Sequence, residues 1–301
     1  LATFLFASCK KDHSKGTEPV GQEYAVNFTV DNILKATTSN SKLRLNTTAD
    51  TFKKYVKTLN YLVYNSAGKL VRQINQDTTT ANFGNIGDKF NAGTYTIVFV
   101  ANATSKVATS VANSGTTDFT SDYFYGLPFN TPPDNKTIFR PDIFYQKFTI
   151  TVTNASINQS VILNRIAAQV QIEATDIVPT NIDSVKITFD RDYYYFMMNT
   201  LLPSTKFGVS ATVLTHVFKP SEKGIANFNI STLFYNTSEA FTVTIVRYPQ
   251  SRFVSPVIIK NVTCQSNKTT VLTGKVFENI VIPGAFQISF DPVWNTQTIN
   301  Y

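Results

Sequence analysis

Few residues in this chain have surroundings that specify a chemistry, and Cys9 has the most specific. Leu5-Phe6-Ala7-Ser8 precedes it, an apolar run closing on two small residues, and Lys10-Lys11-Asp12 follows. Small residues before a cysteine let a signal peptidase approach the backbone, and the thiol is the nucleophile that accepts a diacylglycerol. The pattern is that of a lipobox, with Phe6 and Ser8 looser than its strict form. Residues 1–8 are too few to span a bilayer, which takes about 20 apolar residues. They read as the residual end of a secretory signal. The other cysteine, Cys264, follows the apolar run 257–262 and reads as a small half-buried residue, not as a disulfide partner of Cys9.

The remaining reactive types are dispersed. His13 lies in the polar stretch after Cys9 and His216 lies within a strand pattern, with no set of Cys or carboxylates near either to complete a zinc site. Asp190 and Asp192 are the closest suggestive carboxylate pair. A glycosidase holds two carboxylates roughly 5–9.5 Å apart, but these two end an apolar strand beside Arg191 and read as turn residues. They do not continue into a calcium loop. No His-Glu-x-x-His, Gly-x-Ser-x-Gly or phosphate-cradling glycine loop occurs. The expectation is no catalytic residue, no metal site, no cofactor and no enzyme. Tyr193-Tyr194-Tyr195-Phe196 cannot all face one core from a strand. Tyr193, Tyr194, Tyr195 and Trp294 are therefore a candidate exposed aromatic surface, able to stack on sugars or pack on a protein. An edge strand covered by a neighbouring domain is the alternative.

The elements that would position these residues follow a period of two. Tyr24, Val26, Phe28 and Val30 alternate with Ala25, Asn27 and Thr29. The same alternation runs through 148–152, 185–189, 241–245 and 286–290, each a strand with one face to a core and one to water. Asn65-Ser66-Ala67-Gly68 reads as a hairpin turn with Gly68 left-handed. No amphipathic helix of 12 or more residues is present, although 51–57 and 104–113 suit short ones. Charged residues make up 16% of the chain, below the usual quarter, and Thr, Asn and Ser take their place. The net charge of +7 is scattered rather than gathered on one helix or stripe, which argues against nucleic acid. At 301 residues two domains are expected. The reading is all-β: residual signal 1–8, lipidated flexible tether 9–23, N-terminal β-sandwich 24–156, C-terminal β-sandwich 157–301.

Several segments carry a resemblance. They are Val161-Ile162-Leu163-Asn164-Arg165-Ile166-Ala167-Ala168-Gln169-Val170-Gln171-Ile172, Asp176-Ile177-Val178-Pro179, residues 267–277, and in the first half residues 91–102 and Asp122-Tyr123-Phe124-Tyr125-Gly126. The chain resembles the FimB-type fimbrial subunit and anchor family of Bacteroidota, whose lipoproteins also share charged flanks such as Cys9-Lys10-Lys11-Asp12. The resemblance implies two tandem transthyretin-like β-sandwiches, export as a lipoprotein to the outer membrane and cell surface, and a place in a fimbrium. It also implies assembly by strand addition: in stalk subunits a protease cuts after a basic residue and removes the first strand, and a strand of another subunit enters the groove. Here the displaceable strand is 24–33, carrying Tyr24, Val26, Phe28 and Val30, and the loop after it offers Arg44 as the cleavage site. An ordinary basic surface loop is the alternative. Residues 291–301, interrupted by Pro292, are short for a donor strand, so the expectation is an anchor or accessory subunit. Its expected partners are other fimbrial subunits and outer-membrane lipid through acylated Cys9. The second reading is a surface lipoprotein that binds a host or glycan ligand through its exposed aromatics.

Overall fold

The computed structural model of the chain describes residues 21–34, 49–103, 118–125, 129–130, 138–203, 209–248, 255–278 and 286–291. Strand β1 (Glu23–Leu34) alternates as its sequence requires: Val26, Phe28 and Val30 are buried, while Asn27 and Thr29 face water. A register shift between Val30 and Asn32 takes up one extra residue, which returns Ile33 to the same core three residues after Val30. The short helix α1 (Ala49–Tyr55) follows near the expected position, then β2 (Thr58–Asn65), β3 (Leu70–Asp77), β4 (Asn85–Asn91) and β5 (Gly93–Asn102). Short strands β6 (Tyr123–Tyr125), β7 (Phe129–Asn130) and β8 (Ile138–Phe139) lead to β9 (Ile143–Val152) and β10 (Ile157–Arg165). The β2–β3 turn forms as expected. Gly68 has φ +74°, and the Asn65 carboxamide accepts hydrogen bonds from the Ala67 and Lys69 amides, both at 3.0 Å.

Seven of these strands form one sheet in the order β3-β2-β5-β9-β10-β1-β4. Only two residue pairs, Asn164 with Tyr145 and Arg165 with Phe144, join β9 to β10. The sheet turns there, and its two parts close on a common core that includes Val26, Phe28, Tyr61, Phe99 and Val161. Strands β2 and β5 are buried on both faces, which explains their near-continuous apolar runs. Tyr61 and Val63 face the first core, whereas Leu62 and Tyr64 face a second one.

The remainder comprises β11 (Ala168–Ala174), β12 (Ser184–Asp192), β13 (Tyr195–Met197), β14 (Ser210–Val217), β15 (Asn229–Phe234), β16 (Phe241–Tyr248), β17 (Val257–Val262), β18 (Thr269–Gly274) and β19 (Gln287–Asp291). Two four-stranded sheets, β15-β11-β18-β19 and β14-β12-β16-β17, enclose a core of alternating inward residues, among them Ile172, Ile187, Phe189, Val243 and Leu272. The all-β expectation therefore holds.

Three expectations change. Strand β10 was expected to open the second half at residue 157, but it pairs with β1 and β9 in the first sheet, and the chain crosses to the second set of sheets at Ile166-Ala167. Within the polar break at 154–159 that suggested a boundary, residues 157–159 already belong to β10 and pair with Val26, Asn27 and Phe28 of β1. Ile288 and Phe290 were expected in a core. They lie on the core-side face, opposite Leu272 and Thr270, but β19 is an edge strand and they stay 40% and 43% exposed. Cys264, expected half-buried, is fully buried, and burial pushes its thiol up to about 12.

Candidate functional site

Strand β1 is an interior strand with a different partner on each edge. It runs parallel to β10 from Val26–Ile157 to Leu34–Asn164, and antiparallel to β4 from Glu23–Asn91 to Thr29–Asn85. Its inward face supplies the centre of the first core. The Phe28 ring lies 5.7 Å from Tyr61, 5.6 Å from Phe99 and 5.7 Å from Phe148, with tilted or edge-on geometry. Tyr24 is partly buried at the margin of the same core. Outward, Asn27 donates to the Asn158 carboxamide at 2.9 Å. At its far end the Val30 amide donates to Gly84 O at 2.8 Å. Gly84 has φ +92°, and a Cβ there would stand 2.7 Å from the Val30 carbonyl, so only glycine allows this approach.

Withdrawing β1 would open a slot between β10 and β4, with two rows of backbone donors and acceptors and pockets at alternate positions. Burying Val26, Phe28, Val30 and Ile33 is worth about 1.5–3 kcal/mol each, or roughly 6–12 kcal/mol together. That is comparable with a whole domain's stability of about 5–15 kcal/mol. An empty slot is therefore not a stable state, and a strand that leaves has to be replaced by another.

The second core lies where the two halves meet, and polar groups there are paired across the joint. It brings Leu62, Val98 and Tyr145 of the first sheet against Phe196, Met198 and Tyr235 of the second half. Strands β6 and β13, one from each half, pair as a two-stranded ribbon, with Phe124 stacked on Phe196 at 5.5 Å. The Arg140 guanidinium has no exposed side-chain surface and meets Asp192 at 2.9 Å. Asp192 also accepts from the Tyr193, Tyr235 and Asn236 amides at 2.9, 3.0 and 2.9 Å and from the Thr212 hydroxyl at 2.9 Å. Burial pushes its carboxyl upward, and Arg140 opposes that shift. The Tyr64 hydroxyl donates to Asp122 at 3.0 Å, while Met198 N donates to Asp122 O at 2.8 Å. Arg165, at the end of β10, shares its Nε–H between both Asp142 carboxylate oxygens at 2.9 and 2.8 Å, and its Nη1 donates to Asn267 of the second half at 3.2 Å.

The structure redistributes the residues singled out from sequence. Cys9, Arg44 and Trp294 lie outside the described residues. Tyr193 is 3% exposed and so leaves the proposed aromatic surface. Tyr194 is half-buried, and its ring lies 4.6 Å below the Arg140 guanidinium. Tyr195 is half-buried on the outward face of the ribbon, 5.7 Å from Tyr123 and 5.5 Å from Tyr125. Asp192, expected in a turn, is the buried centre of the joint, while Asp190 caps Thr242 N at 2.8 Å. Neither Arg140 nor Asp192 carried a signal of this role, because their pairing spans 52 residues and depends on two separate sheets meeting. Among the described residues no group of three or more His, Cys, Asp or Glu converges as a metal site. No helix among them is long and apolar enough to cross a membrane.

The family model for fimbrillin-A associated anchor proteins Mfa1 and Mfa2 matches residues 16–294. Among solved structures, the fimbrial anchor protein Mfa2 from Porphyromonas gingivalis superposes with a TM-score of 0.52 at 13% identity, covering 90% of this chain and 98% of that one. A candidate polysaccharide-binding protein from Bacteroides thetaiotaomicron gives a TM-score of 0.55 at 11% identity, covering 88% and 98%. A candidate adhesin from the same organism gives 0.51 at 14% identity, covering 89% and 95%. At these identities the likeness to the solved structures is one of fold. No curated protein sequence matches the chain.

Proposed function

We propose, since the chain belongs to the family of fimbrillin-A associated anchor proteins, that it is a non-enzymatic fimbrial anchor or accessory subunit, held at the outer membrane through acylated Cys9 and joined to other fimbrial subunits by strand addition. Two tandem sandwich units of transthyretin-like type, divided at residues 166–167, carry this role. Two acyl chains on Cys9 would give stable anchoring where one would be marginal. The observation that supports the reading most is the position of β1, an interior strand whose removal exposes two edges and a row of apolar pockets. A strand from another subunit would replace backbone pairing with β10 and β4, and its alternate apolar side chains would refill the places of Val26, Phe28 and Val30. Cleavage after Arg44 would release lipid and strand together; without it, Cys9 is a permanent tether.

The test is a chain lacking residues 24–33. It should be unstable or polymerise, and a synthetic peptide of that sequence should restore a folded monomer. A stable monomer without the strand or the peptide would sink the strand-addition reading. Mass spectrometry of the native N-terminus separates an acylated Cys9 from a chain that begins after Arg44.

The glycan reading has one observation in its favour: Tyr123, Tyr125 and Tyr195 stand on the outward face of the β6–β13 ribbon. Glycan-array binding that is lost in their alanine variants would support it, and no binding across glycan classes would dismiss it.

A further inference from the structure

We propose that the cavity between strands β1, β3 and β4 is a binding site for a short neutral glycan. It is separate from the tyrosines of the β6–β13 ribbon and does not depend on the anchor reading. Strands β3 and β4 follow one another in the chain, yet they stand at opposite ends of the seven-stranded order and do not pair. Side chains link them instead. The Gln76 carboxamide accepts from Gly84 N and donates to Asn85 O, both at 2.9 Å. Farther along, Arg72 Nε meets Asp88 at 3.2 Å. The Asp88 carboxylate also accepts from Lys89 N at 2.8 Å and from the Tyr61 hydroxyl at 3.4 Å. Its side chain is only 6% exposed, so Arg72 is held by a fixed partner. Here lies a cavity of about 610 Å³, lined from all three strands. Sites for small molecules run to roughly 300–1,000 Å³.

The lining suits hydroxyl groups. Strand β1 contributes Glu23 and Asn27, and β3 contributes Arg72 and Gln73. Carboxylate, carboxamide and guanidinium groups are planar forks with two bonding atoms side by side. Neighbouring hydroxyls of a sugar ring each donate and accept, so one fork can bond two of them. Capacity is left over for this: among the described residues, the Arg72 Nη groups, the Lys89 ammonium and the Glu23 carboxylate have no hydrogen-bond partner. Two acids, Glu23 and Asp88, are matched by two bases, Arg72 and Lys89. A charged ligand would give up its water without meeting a net opposite charge, a cost that a neutral ligand avoids. Ala25 and Ile74 form the apolar part of the lining, against which the C–H face of a sugar can pack. Gly87 lines the same cavity, and a Cβ added there would meet only Asn27 Oδ1, at 3.4 Å. A large side chain at 87 would therefore fill the cavity without disturbing the core. Because β1 supplies part of the lining, the site exists only while β1 is in its slot.

The experiment applies the full chain, in detergent, to an array of short neutral, anionic and cationic glycans, with extended peptides as a further arm. The chain should bind a neutral glycan. Gly87→Trp should keep the parent's melting temperature and weaken that binding by about tenfold, a loss of about 1.4 kcal/mol. Ile258→Ser, at an exposed residue of β17, should leave it unchanged. If no neutral glycan binds, or if binding is confined to charged glycans, the proposal is overturned. Capture of extended peptides alone also overturns it, because the two unpaired edges would then be a slot for a strand. So does neutral-glycan binding that survives Gly87→Trp, and if alanine variants of Tyr123, Tyr125 and Tyr195 abolish that binding, the sugar belongs to the ribbon. Should Gly87→Trp melt early, Gln73→Ala with Lys89→Ala, both at exposed positions, takes its place and is read the same way.

Discussion

Phe28→Ala is the substitution that most directly probes the β1 slot. Phe28 is 1% exposed at the centre of the first core, and its ring contacts three others at 5.6–5.7 Å. Truncating a buried Phe to Ala costs about 3–5 kcal/mol, as transfer free energy plus the cavity left behind. Three ring contacts, each worth about 0.5–1.5 kcal/mol beyond burial, place this site in the upper part of that range. For a chain of this size about 4 kcal/mol should lower the melting temperature by roughly 8–16 °C. Thr29→Ala, one residue on and facing water, should stay within about 0.5 kcal/mol. The assay is urea unfolding of both variants from residue 21 onward, followed by circular dichroism and Trp/Tyr fluorescence. The same pair should differ in the accessibility of β1: amides of 26–30 should exchange with deuterium much faster in Phe28→Ala. If Phe28→Ala costs less than about 1 kcal/mol, or no more than Thr29→Ala, then β1 does not fill the core and the slot argument collapses.

Asp192→Ala leaves the Arg140 guanidinium buried without its counter-ion and should cost about 3–5 kcal/mol by denaturant unfolding. Arg140→Met with Asp192→Leu removes both charges and should recover a measurable part of that loss. Asp118, bonded to Lys69 and Thr120, has its carboxyl held down at about 2, below the ordinary value of about 3.9. Its stabilising contribution is therefore complete above about pH 4 and lost as pH falls toward 2. Carbon-detected NMR titration should find its midpoint there, and Asp118→Asn should flatten that part of the acid limb. Cys264, with its thiol raised to about 12, should resist alkylation at pH 8 in the folded chain and react on unfolding. Rapid labelling of the folded chain would contradict its burial.

The sequence by itself determined the all-β class, the alternating faces of β1, β12 and β16, and the β2–β3 turn, because each depends on neighbours within a few residues. A side-chain period of two needs no knowledge of what lies opposite, and Asn65 and Gly68 hold their turn through bonds across four residues. Only the tertiary structure decided where the halves divide and which residues bind them. The polar stretch before residue 157 resembles a linker in composition, yet β10 finds two partners in the first sheet. The run Tyr193-Tyr194-Tyr195-Phe196 shows that some aromatics must face outward but not which: Tyr193 is buried, and β6 supplies Tyr195 with two tyrosine neighbours, Tyr125 and Tyr123, from 70 and 72 residues earlier. Ile288 and Phe290 alternate as a core strand does, and they stay exposed because β19 is the outermost strand of its sheet. Periodicity sets the direction in which a side chain points, whereas burial depends on whether another layer lies across from it, and that second layer comes from distant parts of the chain.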